Sequence, residues 1–234
     1  MSYVTLKHLL ADLALEAVRN PDRAAWAAMA AAYGGLARPA QMSISWEALR
    51  KTAEPLCTRF DWHPRPNDAG VLVARGLFDV GEGTVSLKPQ FVPFLGYLAR
   101  QTSRLLEALW AVKTSAQAGV VDDLGRGLAL FNAGLFFECH ELLEEVWKAT
   151  AGSDKAFFHG IVQVAAAFYH YEKRNRHGAI TLLTKGLTKL AGYPDRYLGV
   201  DLGAFRRSLE PWVQSLSAGA PPPAALPRIA VIGA

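Results

Sequence analysis

From Phe131 to Trp147 the chain reads FNAGLFFECHELLEEVW, a run of helical spacing that holds four carboxylates and one histidine among apolar residues. A second such run, Lys155 to Lys173, sets His159, Gln163 and His170 along one side. Polar groups persist in an apolar setting only when hydrogen-bonded, paired or bound to a ligand. The two runs therefore call for helix against helix. They locate a candidate site without naming a reaction.

Composition narrows the class. The 234 residues are 51% hydrophobic and 20% charged, which suits a folded chain with a sizeable core. The net charge of +4 includes no dense basic run, so nucleic acid is not an expected partner. Cys57 and Cys139 fall in separate predicted helices, and no disulfide framework or thiolate metal site follows. The start of the sequence lacks a basic segment followed by an apolar core, and no apolar run reaches the ~18 residues of a spanning helix. The expected setting is a reducing cytoplasm, with no membrane partner. Self-association stays open, and so does any other partner.

Periodicity divides the chain into two predicted units and a tail. In the first, residues 1–115, helices are expected over Thr5–Arg19, Arg23–Tyr33 and from Ser45 toward Phe60. Asp22 and Ser45 are the expected N-caps of the latter two, and Gly34-Gly35 the stop of the second. A short helix, Asp68–Arg75, precedes a predicted hairpin of Gly76–Val80 and Thr84–Leu87 joined through Gly81-Glu82-Gly83. From about Ser45 to Pro89 this resembles the second half of a winged helix-turn-helix domain. A DNA reader would project Arg, Lys, Asn or Gln from the helix before the hairpin, and here only Arg75 and Asn67 qualify. Pro89–Val112 reads as a helix bridging the halves.

The second predicted unit, residues 119–217, is a helical bundle. Its helices are expected over Asp123–Ala133, Leu135–Lys148, Lys155–Lys173, His177–Leu190 and Leu202–Leu216, with short connections suited to antiparallel neighbours. Asn175 and Asp201 are the expected caps of the last two. The Pro- and Ala-rich tail, 218–234, reads as extended or disordered, with Ile229–Ile232 able to dock on a surface.

The candidate ligand or metal residues are Glu138, His140, Glu141, Glu144, Gln163 and His170, with His159 and Asn175 secondary. Three readings compete for them. One is a structural hydrogen-bond network that fixes helix register. Another is a divalent metal held by carboxylates and imidazoles of facing helices, although the phrase Glu-x-His-Glu-x-x-Glu is not the Glu-x-x-His of bundle di-metal sites. The third is metal-free acid–base chemistry by a His–Glu pair. His140-Glu141-Leu142-Leu143-Glu144 is not the zinc-protease phrase, because Glu144 stands where a second histidine would be. Cys139 lies on the apolar arc as a small core residue.

Asn132-Ala133-Gly134-Leu135-Phe136-Phe137-Glu138-Cys139-His140-Glu141-Leu142-Leu143-Glu144 resembles the signature helix of the domain of unknown function 309 family. The likeness continues through Phe158–Ala165, His170, Asn175 and Gly178-Ala179, and closes at Leu198-Gly199-Val200-Asp201. It covers about residues 128–216. His159 departs from the glutamine usual in the family. The resemblance implies a small helical bundle and places the six candidate residues on the family's polar motif, but it implies no activity. Together these readings predict a mainly α protein: an antiparallel C-terminal bundle after a helical, winged-helix-like unit with a small hairpin. Its expected function is a polar cleft for a small ligand or divalent metal with hydrolytic capacity, or a non-enzymatic interaction module in which the cluster is architecture.

Overall fold

Ten α-helices and five short strands make up the residues described by the computed structural model, 2–62, 68–117 and 122–232. Asn67 and the boundary expected at Gly119 lie outside them. The protein is mainly α, and its chain divides into two compact units, 1–119 and 120–234.

In the first unit α1 (Ser2–Arg19) and α2 (Ala25–Leu36) both pack on α5 (Leu95–Gln117), which follows a 3-10 turn over Pro89–Phe94. Between them come α3 (Trp46–Arg59), α4 (Asp68–Ala74) and a sheet of β1 (Ser43–Ser45), β2 (Phe78–Gly81) and β3 (Thr84–Leu87). The sheet order is β1-β3-β2, antiparallel throughout. β2 and β3 form the expected hairpin; β1 is too short to announce itself by alternation. Ser45 caps α3 as expected, its Oγ accepting from Ala48 N–H.

Two expectations fail here for physical reasons. Asp22 does not cap α2: it sits in a 3-10 turn, Pro21–Arg23, and Ala24 opens the helix without a side-chain bond. Gly34-Gly35 does not stop α2 either. A Cβ on Gly34 would stand 2.8 Å from Ala99, so this glycine serves the approach of α2 to α5. The segment after Pro89 belongs to the first unit. The far part of α5 stays in its own unit, with Arg59 stacked on Trp110 at 4.5 Å and Lys113 paired to Asp61 at 2.8 Å.

Tyr33 ties helix to sheet. Its ring is fully buried against Phe78, and its hydroxyl donates to Met42 O at 2.6 Å while accepting from Leu87 N–H at 2.7 Å. Burial raises the phenol pKa, so it remains a donor. Tyr33→Phe leaves a buried N–H and a carbonyl without their partner and is expected to cost about 1–3 kcal/mol, read from urea melts. An unchanged midpoint would refute that role.

The second unit arranges α6 (Asp123–Asn132), α7 (Phe136–Ala149), α8 (Asp154–Glu172), α9 (Arg176–Leu190) and α10 (Leu202–Ala218) so that each packs on its neighbour in sequence. The expected caps hold. Asn175 accepts from Gly178 N–H at 2.9 Å and Asp201 from Ala204 N–H at 2.9 Å. Leu198-Gly199 is more than a cap approach. It is the two-residue turn of a hairpin, β4 (Arg196–Tyr197) with β5 (Val200–Asp201), and both residues have positive φ, 46° and 73°. That geometry matches the right-handed twist of the paired strands. The core centres on Phe131, Phe136, Phe168, Phe205 and Trp212, whose rings meet mostly edge to face. Across the described residues, no helix is long and apolar enough to cross a membrane.

Candidate functional site

The α7–α8 pair is in clean antiparallel register. Trp147 stacks on His159 at 4.2 Å, and Phe137 meets Tyr169 at 5.2 Å. Ten residues separate these contacts on each helix, so His140 lies level with Ala166 and His170 with Phe136. At the helical rise, the two histidines are thus offset by about 6 Å along the axes.

Glu138 is the buried member of the motif, only 1% exposed, in the first turn of α7. The helix dipole favours a carboxylate there. Its charge reaches two neighbours. The Tyr169 phenol is raised first by burial, then by Glu138, Glu172 and Glu141, and the Cys139 thiol is raised by complete burial and by Glu138. A thiol so disfavoured as thiolate is an inert core group. Lys173 lies 5.4 Å over the Tyr169 ring, its pKa lowered by burial. Sequence reasoning missed Tyr169, Glu172 and Lys173 here. The signal was present in Phe137, the one aromatic in the charged arc, which required a partner at the matching level of α8.

The remaining motif residues disperse. His140 Nδ1 pairs with its neighbour Glu141 at 3.1 Å, and Glu144 pairs with Lys148 one turn on at 3.0 Å. His170 Nδ1 is 2.9 Å from the Asn175 side-chain amide, and a Cβ on Gly178 would approach that nitrogen to 2.8 Å. His159 is stacked on Trp147, its pKa lowered by burial and by Lys189. Gln163 is half-buried, and its Oε1 is buried with no hydrogen-bond partner among the described residues.

Within the stripe, His159 meets α7 through Trp147 while His170 meets Asn175 and Gly178 at the start of α9. The reason lies in the small residues. Gly160 and Gly186 bring α8 close to α9, and His170 turns toward that interface. Among the described residues no three His, Cys, Asp or Glu side chains gather as a metal centre would require. The expected metal reading, and the hydrolysis attached to it, lack their donor set. Arg176, at the start of α9, donates to Leu216 O and Ser217 O at the end of α10.

Residues 124–182, which hold α6, α7, α8 and the start of α9, match the family described as Domain of unknown function (DUF309). The match lies within the C-terminal half. The chain is 30% identical over 93 residues to an uncharacterized protein of Aquifex aeolicus (strain VF5), covering 39% of this chain and 28% of that protein. It is 40% identical over 53 residues to the uncharacterized protein YpuF of Bacillus subtilis (strain 168), covering 22% of this chain and 30% of YpuF. The matches thus span less than a third of either relative. One residue of the matched segment, Asn132, to which the sequence assigned no role, makes a pair of bonds to the tail. Asn132 donates to Ile229 O at 2.9 Å and accepts from Ile229 N–H at 2.8 Å.

Proposed function

We propose that the DUF309 domain is a non-enzymatic interaction module whose Glu, His and Gln motif is architectural. One observation carries the reading: His140, Glu144, His159 and His170 each end on a separate neighbour. A ligand centre needs them convergent, and these four are each engaged where they stand; Gln163, whose buried Oε1 lacks a partner among the described residues, is not part of that support. Glu138 fits the same picture as a buried charge at a helix start beside Tyr169.

Protein purified without a histidine tag is expected to hold no stoichiometric divalent ion. Its Tm should be unmoved by millimolar Zn2+, Mn2+ or Mg2+, or by a chelator. His140→Ala, at a side chain 28% exposed, should cost no more than about 1 kcal/mol and leave that insensitivity intact. A metal-dependent rise in Tm that His140→Ala or His170→Ala removes would overturn the proposal.

A second reading concerns residues 25–87. The order helix, strand, helix, helix, hairpin, with sheet order β1-β3-β2, supports a winged-helix-like module. Duplex reading is not part of this proposal. Arg75, at the end of α4, is paired with Glu16, and α4 itself is otherwise Val, Leu, Ala and Gly after Asp68. A salt-dependent duplex titration should show no binding at physiological ionic strength.

A further inference from the structure

The end of the tail, which the sequence left able to dock on a surface, is seated in extended form against Asn132 of α6 and the edge of β5. Pro227 and Ile229 are buried while Arg228 and Ala230 are exposed, the alternation of a chain with one face inward. Ile229 is 1% exposed. Asp201 N–H donates to Ala230 O at 3.0 Å, Ile232 N–H donates to Gly199 O at 2.7 Å, and Val231 bridges Val200 antiparallel. With the two bonds from Asn132, four hydrogen bonds reach the tail, and all of them meet its backbone.

This arrangement is that of β-strand addition: main-chain bonds hold any extended segment, and alternate buried side chains choose among them. Asn132 strengthens the likeness, because a side-chain amide that donates and accepts at one residue reads a backbone as a neighbouring strand would. β5, paired with β4 on one side, offers its other edge to the tail. We propose that Asn132 and the outer edge of β5 form an acceptor groove for an extended Pro-x-Ile peptide, whose resident ligand is the chain's own 227–232. The groove lies apart from the α7–α8 motif and goes beyond the architectural reading of it.

The tether sets the energetics. Some ten residues link the end of α10 to Ile229, and flexible links of that length hold a ligand at an effective concentration on the order of millimolar. The resident segment can therefore occupy the groove with modest intrinsic affinity, and it exchanges once the link is cut. A competing segment of the same pattern must exceed that local concentration.

The experiment uses the full chain with a protease recognition sequence inserted between Ala224 and Ala225, both exposed. After cutting, a fluorescent peptide of residues 225–234 is titrated and its anisotropy followed. Saturable binding is expected. Asn132→Ala in the protein should weaken it by about tenfold or more, since two of the four bonds go. Ile229→Asp in the peptide should abolish binding. Val231→Asp, at a side chain 64% exposed, should change it by no more than about twofold. No saturable binding to cut protein that keeps its Tm overturns the proposal, as does equal binding to the Asn132→Ala protein. Should cutting unfold the unit, hydrogen exchange on the uncut chain decides. Asn132→Ala should expose the Ile229 and Ile232 amides while α7 to α9 stay protected, and unchanged protection refutes the groove. A metal-dependent Tm would sink the architectural reading and leave these outcomes untouched.

Discussion

Phe131→Ala is expected to lower the stability of the C-terminal unit by about 3–5 kcal/mol, the range for deleting a fully buried ring. The residue is 1% exposed and stands at the meeting point of three others, with ring centroids 5.2 Å from Phe136, 5.9 Å from Phe168 and 5.6 Å from Phe205. Those rings come from α7, α8 and α10, so one side chain on α6 fills the space shared by three other helices. None can close the cavity without disturbing its own neighbours. Phe137→Ala is the fitting contrast, because Phe137 is half-buried, outside the core cluster, with its ring against Tyr169 at 5.2 Å. It should cost clearly less. Phe131 also precedes Asn132, so exchange protection at Ile229 should fall with it. Urea melts of both variants decide the matter, and a loss under about 1 kcal/mol for Phe131→Ala would mean that the core lies elsewhere.

Much of this was legible in the sequence because helices announce themselves by period and by caps. Ser45, Asn175 and Asp201 are small polar residues just ahead of apolar runs, and each closes the bond its position implies. The hairpin was legible from Gly81-Glu82-Gly83 between two short apolar runs. β1, β4 and β5 were not, since two or three residues are too few for alternation to show. Glycine was the ambiguous letter. Gly34 looked like a stop and proved to be a point of close packing; the same sequence signal serves both.

The candidate site was half legible. Helix phase placed Phe137 among the charged residues and so called for a partner there, but it set Glu138 opposite the apolar arc, and the burial of that carboxylate was not legible. Which neighbour His170 meets depends instead on which of two adjacent helices α8 approaches more closely, and no periodicity within α8 contains that choice. The tail was the other gap. Asn132 and Ile229 are 97 residues apart in sequence, and nothing local to either marks the pair.

Gly186→Ala tests that choice of neighbour directly, and a net destabilisation of about 1–2 kcal/mol is expected. A Cβ there would sit 2.8 Å from Val164 Cγ2, 2.9 Å from the Gly160 carbonyl oxygen and 3.3 Å from the Val164 backbone nitrogen. Val164 can rotate, but the two backbone atoms cannot, so α8 and α9 must move apart. Overpacking of this kind costs about 1–3 kcal/mol and more where backbone is the obstacle. Working against it, alanine is the better helix former by about 1 kcal/mol. Gly35→Ala isolates that opposing contribution in the first unit, because nothing lies within 4 Å of its added Cβ. It should stabilise by up to about 1 kcal/mol. Opposite signs for two identical substitutions are the signature of the close approach. Separation of α8 from α9 would also release His170 from Gly178 and Asn175, so the NMR chemical shifts of its ring protons should move in Gly186→Ala alone. If Gly186→Ala proves as stable as the parent, the two helices are not in tight contact. The assignment of His170 to that interface, rather than to a centre shared with His140, would fall with it.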